Sequence, residues 1–148
     1  MFIQRPSQIE KSRTPVCDFI YRDKAGAKFY TGLNQKQREA LWELCGAQKY
    51  QLQVWGRKPG FLNTQIQGLS VECQFLLCLL ILRRDKPYKE CKILFGKSVT
   101  LISQVFKTWL ALFHVVLQDV QDYVHTLTVK DLPRPPKAFR NKMLRNVK

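Results

Sequence analysis

From Ser98 to Leu117 apolar residues recur three and four apart, at Leu101, Ile102, Val105, Phe106, Trp109, Leu112, Phe113, Val116 and Leu117. This is the period of a helix with one wide buried face, and it predicts a helix over 98–120. The opposite side carries Thr100, Ser103, Gln104, Lys107 and His114. Immediately upstream, Phe95-Gly96-Lys97-Ser98 reads as a tight turn, because glycine accepts a positive φ and Ser98 offers a hydroxyl to cap the following helix. A shorter helix over 87–95 enters the turn, with Pro87 where its missing N–H is harmless.

Farther upstream, Ser70 as N-cap and Glu72 at the positive end of the helix dipole open a helix predicted over 70–84. Val71, Phe75, Leu76, Cys78, Leu79, Leu80 and Leu82 make it apolar on most sides, the mark of a central support packed by several neighbours. Another helix is predicted over 35–45, capped by Asn34 and stopped by Gly46. Its Trp42 reads as core more readily than as a platform for a base. Asp18 to Lys28 reads as a short aromatic run followed by a turn at Gly26. Tyr50 to Gln67, broken by Gly56, Pro59 and Gly60, reads as a loop whose Arg57 and Lys58 are solvated charges or, beside Trp55, contacts to a phosphate backbone. The expected organisation is an all-α fold: a flexible arm over 1–15 with Arg5, Lys11 and Arg13, a small helical domain over 16–130, and a basic tail over 131–148. In that tail Pro133, Pro135 and Pro136 oppose helix, and Leu132 to Lys148 holds six cations without an acid.

Composition narrows the partner. The 148 residues carry a formal net charge of +14, which favours a polyanion, nucleic acid first. The five cysteines are scattered, without a CxxC pair, so they read as small buried apolar residues and not as a zinc site shared with His114 or His125. No metal and no other cofactor is expected. The longest unbroken apolar run, Phe75 to Leu82, falls short of the roughly 20 residues that cross a bilayer, so no membrane partner is expected. The first residues lack the apolar stretch of a secretion signal, so the expected place is the nucleus of a eukaryote, or otherwise the cytoplasm.

Leu69 to Phe113, LSVECQFLLCLLILRRDKPYKECKILFGKSVTLISQVFKTWLALF, resembles the transposase helix-turn-helix domain that precedes the nuclease in Harbinger-like and related insertion-sequence DDE transposases. Phe29 to Leu33 (FYTGL) and Leu132 to Arg140 (LPRPPKAFR) resemble its flanks in the same order. The resemblance implies double-stranded DNA as partner, with the helix that begins at Ser98 in the major groove. Lys97 and Ser98 would hold a phosphate at the helix start, Val99, Thr100, Ser103 and Gln104 would meet base edges, and Lys107 would hold the backbone. Three positions depart from the family pattern: Lys92 replaces a small residue, Lys97 an apolar one and Gln104 an arginine. The two lysines motivate an alternative, a domesticated scaffold that binds protein and no longer reads DNA.

No catalysis is expected. A DDE nuclease needs three acids converging on two metal ions, and the chain stops before the point where the family places the first. Asp119 and Asp122 alone read as solvated groups at a helix end. A transposase catalytic subunit acting in trans is a further partner that the resemblance leaves open.

Overall fold

The structure, a computed structural model, describes residues 15–126. Apart from Pro15, the expected arm and basic tail lie outside the described residues. Among the described residues six α-helices follow one another: α1 (Pro15–Arg22), α2 (Lys24–Thr31), α3 (Gln35–Leu44), α4 (Val71–Arg84), α5 (Tyr88–Phe95) and α6 (Val99–Thr126). The described residues contain no strand, only an isolated antiparallel bridge between Gln53 and Leu62. The fold is all-α, as the periodicity requires.

Local chemistry sets the helix boundaries. Asn34 Oδ1 accepts from Gln37 N–H at 2.9 Å while Gln37 Oε1 accepts from Asn34 N–H at 3.0 Å, a reciprocal cap that starts α3. Ser70 Oγ accepts from Cys73 N–H at 3.2 Å and starts α4. One expectation fails. Asp18 to Lys28 is not a run followed by a turn at Gly26: α1 and α2 cover it, and Gly26 sits inside α2. The cause is Asp23, whose Oδ1 accepts from Ala25 N–H at 3.1 Å, an N-cap that offsets the roughly 1 kcal/mol cost of a helical glycine. The turn glycine is Gly32, at φ 74°, where an added Cβ would meet Arg83 Cδ at 2.9 Å.

Every residue of α4 from Cys73 to Ile81 is buried, so this helix is the central support that its all-round apolarity predicts. Trp109, 0% exposed, packs its ring across those of Phe75 and Phe113, with centroids 5.8 and 6.0 Å away, and lies parallel to Trp42 at 6.4 Å. A polar thread runs through this cluster. Trp109 Nε1 donates to Gln74 Oε1 at 3.0 Å, and Gln74 Nε2 donates to the carbonyls of Asn63 and Leu69 at 2.9 and 3.0 Å, so the buried amide is fully used. Asn63 in turn holds the connecting segment, accepting from Leu52 N–H at 3.0 Å and donating to Lys49 O at 2.7 Å. All five cysteines are buried, as expected of small apolar residues. Burial first, and the nearby Cys45 second, push Cys78 up to about 12.

The last helix is longer than its sequence boundary. Over Val99–Tyr123 it is long and apolar enough to cross a membrane by length and composition, a property that counting only unbroken apolar runs misses. Ile102, Val105, Trp109, Leu112 and Phe113 are nonetheless buried in the protein core. The chain divides after Val116 into two compact units, and the core described here belongs to the first.

Candidate nucleic-acid interface

Three residues separate α5 from α6. Gly96 takes φ 64° and ψ 31°, the left-handed conformation that closes a helix end, and donates its N–H to Lys92 O at 2.9 Å. Ser98 Oγ accepts from Leu101 N–H at 3.2 Å and Ser98 O accepts from Ile102 N–H at 3.0 Å, so the serine caps α6. Cys91 and Phe95 hold α5 to the core, whereas Lys92 is exposed and not wedged between helices.

Beyond the cap, Thr100, Ser103, Gln104 and Lys107 recur three and four apart on the side of α6 away from its buried residues. Thr100 and Lys107 are exposed, Ser103 and Gln104 are half-buried, and Val99 is exposed at the helix start. Ser98 is exposed too, with its hydroxyl engaged in the cap. Lys97 is half-buried and turns toward Gly68, with its Nζ 2.6 Å from the place a Cβ would take there. All seven residues marked by sequence therefore lie along the first two and a half turns of one element and the turn before it.

The sequence reading missed what lies against this surface. The segment from Gln53 to Phe61, joined across by Val54 N–H to Phe61 O at 3.0 Å, docks on α6. Trp55 N–H donates to Thr108 Oγ1 at 2.9 Å, and the same hydroxyl donates to Gln104 O at 2.7 Å. Arg57 Nε donates to Gln104 Oε1 at 3.0 Å. Arg57 thus joins the face, with Lys58 and the exposed Trp55 indole beside it in the chain. The available signal was Thr108, a hydroxyl set among buried neighbours where a second partner had to be found.

Electrostatically the surface is one-signed. Neither the segment 51–71 nor the helix from Val99 to Gln118 contains an acidic residue, while Arg57, Lys58, Lys97 and Lys107 supply cations. Together with the N–H groups at the α6 start, this arrangement suits extended anions. Asp119 and Asp122 are exposed, and among the described residues no group of three or more His, Cys, Asp or Glu is placed to hold a metal ion. No family model matches the chain, and no curated protein or solved structure matches it.

Proposed function

We propose that the protein binds duplex DNA through the start of α6, as a transposase-derived module without catalysis of its own. The observation that carries this reading is the join of two cationic segments on one polar face: Arg57 bonded to Gln104, with Lys107 one turn on. Thr100, Ser103 and Gln104 are the residue types that read base edges in the major groove, and Lys97, Arg57, Lys58 and Lys107 would neutralise phosphates. Any strand transfer would come from a catalytic subunit in trans, and the site of action would be the nucleus of a eukaryotic source. With about four phosphate contacts, affinity for a duplex should fall roughly a hundredfold between about 50 and about 200 mM salt. Titration of a labelled duplex at the two salt concentrations tests this.

A second reading, a protein-binding scaffold, is favoured by Ile93 on α5, an apolar side chain 81% exposed beside Lys92. The same titration separates the two: binding of a protein partner that barely responds to salt, with no duplex binding at the lower concentration, would replace the DNA reading.

A further inference from the structure

We infer that the cleft formed by α1, α2, α3 and α4 is a binding site for a small organic oxyanion, its head group on Arg38 and its apolar body against Trp42 and Phe75. This site is separate from the α6 face and does not rest on the DNA reading. Arg22, Lys24, Arg38, Glu39, Trp42 and Phe75 line the cleft, whose volume is about 450 Å³. Such a volume suits an aromatic acid or a mononucleotide, being too large for an inorganic ion and too small for a polymer.

Arg38 is the reason for a charged head group. The side chain is only 8% exposed, and among the described residues its Nη1 meets no acceptor. A guanidinium stays protonated at any physiological pH, so it cannot shed the cost of burial by losing its charge. An unpaired donor on a buried cation is costlier than a neutral one, and interiors rarely keep such a group without a use. As Arg38 lines the cleft, its planar fork could offer an oxyanion there two parallel N–H bonds. Arg22 and Lys24 add positive charge at the wall, against Glu39 and Glu72. The apolar wall selects the remainder of the ligand. Trp42 already holds Lys49 Nζ over its ring at 4.3 Å and Trp109 parallel at 6.4 Å, so it offers an edge and not a free stacking face. Phe75 meets it at 76° with centroids 5.2 Å apart, and the two close the floor against water.

The test is calorimetric titration of the full chain with phenyl phosphate, benzoate and inorganic phosphate, alongside thermal melts. Either aromatic anion should bind at least about tenfold more tightly than inorganic phosphate, and the stronger of the two identifies the head group as phosphate or carboxylate. Arg38→Met should weaken that binding by about tenfold or more while raising the melting temperature of the free protein, because it removes a buried donor left without an acceptor. Lys24→Gln should weaken binding a few-fold, and Glu39→Gln, which keeps the bond from Gln35, should tighten it. Lys89→Gln, at an exposed position of α5, should change nothing, separating this cleft from the general attraction of a +14 protein for anions. If Arg38→Met does not fold, the opposite signs at Lys24 and Glu39 still decide. Aromatic anions bound no better than inorganic phosphate, or variants at positions 24, 38 and 39 that bind like the unaltered chain, would overturn the assignment.

Discussion

Arg38 and Lys107 carry the same charge in opposite surroundings. Lys107 stands in water on α6, where an exposed cation is weakly felt, screened by salt and additive with its neighbours. Arg38 is enclosed beside Trp42 and Phe75, where the lower dielectric magnifies every interaction and an unpaired donor is a penalty. A surface built from the first kind recognises a polymer by adding many small terms, tuned by ionic strength. A cleft built on the second recognises one group strongly and responds little to salt. The two regions therefore differ in readout: changes around the cleft should register in stability and in small-anion binding, and changes on α6 in duplex binding and its salt dependence.

The largest effect is expected beneath the cleft. Trp109→Ala removes a fully buried indole and leaves Gln74 Oε1 without its donor, so it should cost about 3–5 kcal/mol in denaturant unfolding. A loss below about 1 kcal/mol would show that the aromatic cluster does not anchor this region. Next comes an alkaline dependence. Below about pH 9 the Cys78 thiol is protonated in both states; above it the unfolded chain releases a proton that the folded chain keeps until about 12. Stability should therefore fall as pH rises through this window, by about 1.4 kcal/mol per pH unit, and Cys78→Ala should flatten the slope. An equally steep slope in that variant would locate the titration elsewhere.

On α6 the expectations shift from folding to binding. Gln104→Ala should cost roughly 1–3 kcal/mol on a preferred duplex and relax base preference there, with a change in folding stability of about 0.5 kcal/mol or less. Selection from random duplexes before and after the substitution measures it; unchanged preference would leave charge alone as the basis of binding. Smallest of all, Lys107→Gln should weaken every duplex alike and reduce the salt slope by about one, leaving the melting temperature in place. A sequence-selective loss at this position would break the division between holding and reading.

The reach of the sequence differs in the same way. Periodicity and capping residues located α3 to α6 to within a residue or so at their starts, because Asn34, Ser70 and Ser98 act on N–H groups only three residues away. Gly26 misled, since a glycine alone does not make a turn when an aspartate three residues earlier caps a helix. The exposed sector of α6 was legible for the same local reason. Arg57 on Gln104, Trp55 on Thr108 and the orphaned donor of Arg38 were not, because each depends on segments far apart in the chain or on packing that no spacing encodes.

The docking of the Trp55 segment on α6 also has a consequence in time. Helices close contacts between residues three and four apart and form early, whereas the bonds from Trp55 to Thr108 and from Arg57 to Gln104 span 53 and 47 residues. The entropy of closing so long a stretch must be met first, with α4 already in place between the two ends. During refolding, helical content should thus return before the face carrying Gln104 is complete, and a nascent chain would acquire this surface only after α6 has been synthesised.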